Sequence, residues 1–396
     1  MLFPPGSTHA IPIVAVTGTN GKTTTTRLIS HILGLNGSTV GMTSTDAVII
    51  DNIPILTGDY SGPEGARKVM MDSTIDHAVF EVARGGILRR GLGFTESDVG
   101  VLLNISSDHL GEGGINTLEE LARLKSTVTD AVKPSGHAVF NADDALVLSC
   151  LDNTKGSPVL FSRNPGNQAL RTNYEKGNLN VTIKDGNVII QKKGWTSTVA
   201  SVIEIPITFD GNAGFNIENV MAAVAATAAL GLNETQIRAG LVSFSPSIGQ
   251  SPGRMNVIDM ADFKVVVDYG HNTGAITATG DFIAGLMPGR KIRMASGVGN
   301  RREHDIFEFG VALSRYYDHI VLCDADPRER IAGETARIVK QGLLKGGFKP
   351  DMITMVIDEK EATKVSLEMA RQGDLVVLQA DNIEQVLKDV LEYKTK

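Results

Sequence analysis

The chain has 396 residues, 42% of them hydrophobic and 21% charged, which suits a folded protein of two or three domains and excludes a disordered one. Its formal net charge of −7 provides no overall positive field for a polyanion, so nucleic acid is not an expected partner. The two cysteines, Cys150 and Cys323, lie far apart in the sequence, which indicates no metal-ligand pair and fits a reducing cytoplasm.

The N-terminal residues, MLFPPGSTHAIPIV, lack the basic and apolar regions of a secretion signal. No later stretch has the roughly 18 uninterrupted apolar residues of a membrane-spanning helix. We therefore expect neither secretion nor a membrane partner, and a cytoplasmic location.

Residues 1–247 are expected to form one α/β domain. Short apolar runs alternate with helical or turn-rich segments in its first part, which predicts a mostly parallel sheet; these runs are IPIVAVTG, HAVFEVA, DVGVLLNIS and HAVFNADD. Residues 168–210 differ, because LNVTIKDGNVIIQ alternates around a DG turn and predicts an antiparallel annex. Two helical segments between 212 and 245 complete the domain.

The segment VTGTNGKTT follows the first strand directly and precedes a helical run, which is the context of a phosphate-binding loop. The strict motif would have glycine at position 16, where Val16 stands. Backbone amides, the helix N-terminus and Lys22 would face phosphate oxygens, and the Thr23 hydroxyl would bind Mg²⁺. The nucleotide-binding residues expected here are Gly18, Thr19, Asn20, Gly21, Lys22, Thr23 and Thr24.

Three further residues of this domain are candidates for chemistry. Glu81 stands in an apolar strand, where a carboxylate needs either a cation beside it or a position at the sheet edge from which it reaches water. His109 follows Asp108 in a loop, where an imidazole either binds metal or is merely solvated. A capping box starting at Thr117 fixes a helix start, and Lys125 falls on its apolar stripe of Leu118, Leu121, Ala122, Val128 and Val132, so that it either snorkels or does chemistry.

After the linker SPSIGQSPGR, residues 248–396 are expected to form a Rossmann-like α/β domain. Five apolar runs alternate with helical segments, and each run ends in polar or glycine-containing sequence: DYGHN, SGVGNRRE, DADPRER, IDEKE and QADN. Open parallel sheets bind ligands beyond the carboxyl ends of their strands, so this edge is expected to face a site.

The TGTNGKTT loop resembles that of the Mur ligases and folylpolyglutamate synthases. The segments after it that carry the candidate residues follow one another in the same order as in those enzymes. The resemblance implies ATP and Mg²⁺ as cofactors, and catalytic roles for Lys22, Glu81, His109 and a carbamylated Lys125. It implies metal ligation by Thr23, Ser61, Glu81, His109 and Lys125. It also implies nucleotide contacts from Asn219, from Arg254 in the linker, and from Asp268, His271 and Asn272 in DYGHN.

Long segments are similar to the Mur-type region of the cyanophycin synthetases, among them EVARGGILRRGLGF and DVGVLLNISSDHLGEGGINTLEELARLKS. The resemblance implies an ADP-forming ligase that adds arginine to the β-carboxylate of a poly-aspartate backbone through an acyl phosphate. Asp324 and Asp326 are candidates to bind the guanidinium, and Arg301 and Arg302 to bind a carboxylate, although all four can equally be solvated loop charges. Their loops depart from the family pattern, which leaves the amino acid open.

Three alternatives stay open beside this interpretation. The chain could be a Mur-type ligase for another amino acid and acceptor, such as a cell-wall-peptide or polyglutamate ligase. It could be a non-catalytic polymer-binding subunit, although such a protein has no reason to retain the whole set of candidate residues. A general P-loop NTPase leaves the Asp108–His109 pair and Lys125 unexplained. A homo-oligomer or a partner domain that extends the backbone is also possible.

Overall fold

The computed structural model describes residues 11–286 and 289–395 of the chain. The first ten residues, on which the expectation of no secretion signal rests, lie outside the described residues. The chain forms two compact units: residues up to Ser106 together with Asn116–Phe244, and Ser107–Ile115 together with the residues from Ser245 onward. The loop that carries the Asp108–His109 pair therefore clusters with the second unit.

The first unit is built on an eleven-stranded sheet. Its strands are β1 (Ile13–Thr17), β2 (Val40–Thr43), β3 (Ala47–Ile50), β4 (Ile53–Thr57), β5 (His77–Glu81), β6 (Ser97–Leu102), β7 (Val132–Asn141), β8 (Ser157–Ser162), β9 (Asn180–Lys184), β10 (Asn187–Lys192) and β11 (Trp195–Ser201). Its α-helices are α1 (Lys22–Leu35), α2 (Pro63–Met70), α3 (Arg84–Arg90), α4 (Leu118–Asp130), α5 (Ala145–Leu148), α6 (Gln168–Glu175), α7 (Gly214–Ala229) and α8 (Glu234–Ser243).

The order of strands places three carboxyl ends side by side. The sheet runs β11-β10-β9-β8-β7-β6-β1-β5-β2-β3-β4, and β1 pairs in parallel with both β5 and β6. The residues that follow β1, β5 and β6 therefore meet at one edge, where an open parallel sheet places its ligands. The strands at both ends are antiparallel, and β9 turns into β10 at Asp185 and Gly186, both with positive φ.

Helices α1 and α7 pack on this sheet through apolar residues that are almost fully buried. Leu28 and Ile32 of α1 share one core with Val220 of α7 and with Val14 and Val101 of the sheet. Eleven residues of α7 are buried, four of them alanines, and small side chains let neighbouring elements approach closely. This packing brings the start of α1 next to α7.

The second unit is built on a six-stranded sheet of order β12-β13-β17-β14-β15-β16. Its strands are β12 (Asn256–Asp259), β13 (Lys264–Asp268), β14 (Lys291–Val298), β15 (His319–Asp326), β16 (Ile353–Met355) and β17 (Leu375–Gln379). Its α-helices are α9 (Thr273–Leu286), α10 (Glu303–Leu313), α11 (Glu334–Lys345), α12 (Glu359–Glu368) and α13 (Ile383–Lys394). Strands β13 to β17 pair in parallel, and only β12 is antiparallel to its neighbour.

The expected α/β class is confirmed, with its antiparallel annex and its second α/β sheet. The four strands expected in the first domain correspond to β1, β5, β6 and β7. One detail of the helix stripe is wrong, because α4 ends at Asp130 and Val132 begins β7 instead. Among the described residues, no helix has both the length and the apolar character needed to cross a membrane.

Candidate active site

The phosphate-binding loop lies between the end of β1 at Thr17 and the start of α1 at Lys22. Gly21 stands at the N-cap of α1 with a φ of 84°, a left-handed conformation that disfavours other residues. The helix therefore begins at the loop and directs the amide groups of its first turn and its positive dipole end toward it. The Lys22 ammonium donates to the Thr19 carbonyl at 2.9 Å.

Asn104, just after β6, fastens this loop to the neighbouring strand. Its side-chain oxygen accepts from the amides of Thr19 at 3.1 Å and Asn20 at 2.8 Å, and its amide group donates to the Asn20 carbonyl at 3.1 Å. Its backbone carbonyl also accepts from the Thr19 amide at 2.9 Å. Sequence reasoning missed Asn104, although its place directly after a strand beside β1 was a usable signal.

Thr23 and Glu81 bring two hard oxygen donors together beside the loop. The Thr23 hydroxyl donates to Oε2 of Glu81 at 2.9 Å, and the Thr45 amide donates to the same oxygen at 3.2 Å. The exposures of Thr23 and Glu81 are 6% and 2%, so the carboxylate is almost completely desolvated. Hydroxyl and carboxylate oxygens are what Mg²⁺ prefers, so this pair fits a divalent cation chemically.

Ser61, the other hydroxyl expected to bind metal, is also buried, at 3% exposure. Its hydroxyl donates to Oδ1 of Asp59 at 2.6 Å, and its carbonyl accepts from the Ala83 amide at 2.9 Å. Ser61 is therefore bonded to Ala83, which lies two residues after Glu81 at the end of β5. Its role at a metal stays a prediction.

Lys125 points inward from α4, as the apolar stripe indicated. The expected capping box is present, with Thr117 and Glu120 bonding each other's backbone amides, and it fixes the register of the helix. Lys125 is 4% exposed, and its amine donates to the Gly18 carbonyl in the phosphate-binding loop at 2.7 Å. The unmodified lysine thus supports the loop directly, and its carbamylation stays a prediction.

Asn219 of α7 lies against the start of α1. Its Nδ2 donates to Oδ1 of Asn216 at 3.0 Å, and its Oδ1 accepts from the Thr25 hydroxyl at 3.3 Å. A β-carbon placed on Gly21 would lie 2.1 Å from this Oδ1, so the side chain and the loop are in close contact. The first unit therefore brings the loop, Glu81, Lys125 and Asn219 together.

In the second unit, the DYGHN segment is organised by its own side chains. Asp268 accepts from the Met255 amide at 3.1 Å and the Gly270 amide at 2.9 Å. The guanidinium of Arg254 lies 4.7 Å from the centre of the Tyr269 ring, a cation–π contact. Asn272 accepts from the Ala275 amide at 2.8 Å in the first turn of α9. The nucleotide contacts expected of Arg254, Asp268 and Asn272 stay predictions.

Arg301 is the buried centre of a polar cluster in the second unit, and its partners Asp108, His109 and His271 are half-buried. Its Nε lies 2.9 Å from Oδ1 of Asp108, and the exposures of the two side chains are 7% and 13%. Its Nη1 lies 2.8 Å from Nδ1 of His109, and its Nη2 lies 3.2 Å from Nε2 of His271. Both imidazoles therefore face a permanent cation.

Burial and the guanidinium both favour neutral imidazoles here. The pKa of His271 falls to about 4, mainly because burial disfavours the charged ring. The pKa of His109 is lowered as well, first by burial and then by Arg301, against the opposing charges of Asp108 and Glu112. A carboxylate oxygen of Glu112 lies 3.2 Å from Nδ1 of His109.

The remaining candidate residues have other partners. Arg302 is 40% exposed and pairs with Asp305, whose carboxylate accepts from its Nε at 2.7 Å. Asp324 is buried and accepts from the Gly333 amide and the Thr335 hydroxyl, which ties β15 to the start of α11. Asp326 pairs with the Nε of Arg328 at 2.7 Å. Substrate contacts by these residues stay predictions.

Comparisons with known proteins match nearly the whole chain. The family model of the Mur ligase middle domain matches residues 16–227, and that of the Mur ligase glutamate ligase domain matches residues 253–382. Cyanophycin synthetase of Trichormus variabilis is 39% identical over 390 residues, which cover 98% of this chain and 43% of that protein. The chain therefore spans less than half the length of this relative.

Solved structures show the same fold. E. coli FolC in complex with ADP superposes with a TM-score of 0.71 and 17% identity, covering 97% of this chain and 90% of that one. A bifunctional folylpolyglutamate synthase/dihydrofolate synthase with Mn, AMPPNP and L-glutamate bound gives a TM-score of 0.70 and 20% identity, covering 96% and 89%. At these low identities the structural likeness shows a shared fold and nothing more.

Proposed function

Because the chain belongs to the Mur ligase family, whose members are ATP-dependent ligases, we propose that it forms an amide bond coupled to the conversion of ATP to ADP and phosphate. The observation that carries this proposal is the buried contact between Thr23 and Glu81 beside a phosphate-binding loop. A carboxylate at 2% exposure is costly unless a cation compensates it, and a loop followed by a helix N-terminus is built for phosphate.

The reaction proceeds in two displacements. An oxygen of the acceptor carboxylate bonds to the γ-phosphorus, the bond to the bridging oxygen breaks, and ADP leaves. The nitrogen of an amine then bonds to the carbonyl carbon of the acyl phosphate, the carbon–oxygen bond to phosphate breaks, and the amine loses a proton to water. Products are an amide, ADP and phosphate.

The residues of the first unit act mainly by position and charge. The Lys22 ammonium and the amides at the start of α1 stabilise the charge that spreads over the transferring phosphoryl group. Thr23 and Glu81 would hold Mg²⁺, which when bound neutralises phosphate charge. Lys125 keeps the loop in place through the Gly18 carbonyl, and Asn219 lies beside Gly21 where it can meet the nucleotide.

The ADP and AMPPNP in the two solved structures support a nucleotide in this chain as well. For the other substrates, arginine as the amine and the β-carboxylate of an aspartate polymer as the acceptor are what the sequence resemblance implies, and the 39% identity to a cyanophycin synthetase agrees with that resemblance.

The test is to incubate the chain with ATP, Mg²⁺, a short β-aspartyl acceptor and one amino acid at a time, with phosphate release and product mass as readouts. We expect phosphate release that depends on both acceptor and arginine, and a product heavier by one arginine residue. Lysine, glutamate and diaminopimelate serve as competing amines. A preference for one of these would reject arginine but keep the ligase, whereas no amine-dependent phosphate release would reject the ligase.

A further inference from the structure

Arg293 is a fully buried arginine in the middle of the second sheet. It belongs to β14, lies in register with Val377 of β17 and Ile320 of β15, and is 0% exposed. Among the described residues no carboxylate pairs with its guanidinium, and its Nε has no hydrogen-bond partner. A buried charge without a counterion is costly, so the stability of the sheet alone gives no reason for an arginine at this position.

The two terminal nitrogens of Arg293 reach a loop and a phenol. Nη2 donates to the Gly270 carbonyl at 3.1 Å, and Nη1 donates to the Tyr317 hydroxyl at 3.2 Å. The guanidinium also lies 5.6 Å from the centre of the Tyr317 ring, a cation–π contact. Gly270 belongs to the DYGHN segment, which follows β13 at the carboxyl edge of the sheet. Arg293 therefore connects the interior of the sheet to that segment.

The backbone of Gly270 is held at both its amide and its carbonyl. The amide donates to Oδ2 of Asp268 at 2.9 Å, while the carbonyl accepts from Arg293. A β-carbon placed on Gly270 would lie 2.7 Å from the same Oδ2, so the contact with Asp268 favours glycine here. Glycine leaves the backbone wide conformational freedom, so its carbonyl keeps one direction only if a fixed donor holds it. Arg293, immobilised within the sheet, is such a donor.

The residues that follow Gly270 line a cavity in the second unit, and His271, Asn272 and Thr273 all belong to its wall. We propose that Arg293 is a positioning residue: it holds the Gly270 carbonyl and thereby keeps His271 and Asn272 in the wall of this cavity, without touching the ligand. Sites of this kind often reduce stability in favour of function, which accounts for the unpaired buried charge. The inference rests on the proposed function, from which the ligand of the DYGHN segment is taken to be ATP.

Arg293→Met and Arg290→Met are the matched variants that test this role. Arg290 precedes β14 at the opposite end of the strand, is 32% exposed and pairs with Asp374 at 2.8 Å, so it stabilises the sheet away from the DYGHN segment. The dissociation constant of a non-hydrolysable ATP analogue with Mg²⁺ is measured on each full chain, and urea unfolding shows that each is folded. We expect Arg293→Met to bind the analogue about 10-fold more weakly than wild type, and Arg290→Met to bind it equally well. A folded Arg293→Met with wild-type affinity would overturn the inference.

Two further variants separate the Gly270 contact from packing around the arginine. Tyr317→Phe keeps the ring and leaves the bond from Arg293 to Gly270 intact, so its affinity should equal that of wild type. A weakening as large as that of Arg293→Met would overturn the inference, because the loss would then come from packing. If Arg293→Met does not fold, Arg293→Lys replaces it, since a lysine keeps the charge but loses the fork of donors. Wild-type affinity in Arg293→Lys would also overturn the inference.

Turnover by the wild-type chain tests the proposed function separately. If the wild type shows no amine-dependent phosphate release, the ligase is rejected, whereas the analogue affinities still decide the role of Arg293. If the wild type is active, Arg293→Met should raise the KM for ATP and leave kcat unchanged, because the segment it holds binds the nucleotide before and during the reaction. An unchanged KM in an active Arg293→Met would reject the positioning role and keep the ligase.

Discussion

Replacing Gly21 by alanine tests whether the close contact between the phosphate-binding loop and Asn219 matters for nucleotide binding. A residue with a β-carbon at a φ of 84° costs about 1–2 kcal/mol in the left-handed region. The new β-carbon would lie 2.1 Å from Oδ1 of Asn219, so that side chain must move and lose its bond to Asn216, which costs about 1 kcal/mol more. We expect the free energy of unfolding to fall by about 2–3 kcal/mol in total.

Gly37→Ala is the matched control. Gly37 has a φ of 88°, yet among the described residues no atom beyond its two chain neighbours lies within 4 Å of a β-carbon placed there. Both variants share the backbone strain and the lower entropy of the unfolded chain. The difference between their free energies of unfolding therefore isolates the cost of displacing Asn219. We expect Gly21→Ala to be less stable than Gly37→Ala by about 1 kcal/mol, and only Gly21→Ala to lose ATP-analogue affinity.

Urea unfolding followed by tryptophan fluorescence suits this comparison. Trp195 is the single tryptophan of the chain and lies in β11 of the first unit, so its signal reports on the unit that carries both glycines. The reasoning would be refuted if the two variants had equal free energies of unfolding and equal affinities for the analogue.

Three further outcomes are expected. Lys22→Ala should abolish phosphate release while lowering the free energy of unfolding by no more than about 1 kcal/mol, for the lost bond to the Thr19 carbonyl, and more than a small residual rate would contradict the nucleotide site. Lys125→Ala should be nearly inactive and partly rescued by acetate, because acetate would replace the negative charge of the carbamate that we predict at Lys125; Lys125→Arg with near wild-type phosphate release would exclude the carbamate. Between pH 6.5 and about 4, His271 is protonated in the unfolded chain but stays neutral in the folded one, where its pKa is about 4. The free energy of unfolding should therefore fall as pH is lowered through this range, by about 3 kcal/mol in all. His271→Gln should show a shallower fall in urea unfolding followed by circular dichroism, and an unchanged slope would contradict the burial argument.

The parts of the site that were predictable from sequence are those whose causes are local. A strand, a glycine-containing loop and a helix follow one another in the chain, so Gly21 and Lys22 could be placed without tertiary information. The same holds for Lys125, because the capping box at Thr117 fixes which residues of α4 share the buried stripe. In both cases short-range patterns determine the geometry.

The partners of Arg301 could not be predicted, since His109 lies 192 residues away along the chain. From local sequence alone, Arg301 and Asp324 cannot be distinguished, because each is a charged residue at the end of a strand in a domain expected to bind a ligand. The structure separates them, because Asp324 fastens a helix start while Arg301 compensates a buried acid. A charge at a strand end is thus ambiguous until its long-range neighbours are known.

The bonds from Asn104 have a consequence for how tightly a nucleotide can bind. Ordering one flexible residue costs about 1–2 kcal/mol, and a loop that must be ordered by its ligand subtracts that cost from affinity. Asn104 holds the amides of Thr19 and Asn20 in the folded chain, so this ordering takes place during folding. Affinity for phosphate is therefore coupled to the integrity of β6, and a substitution that loosens this strand should weaken binding without touching the nucleotide.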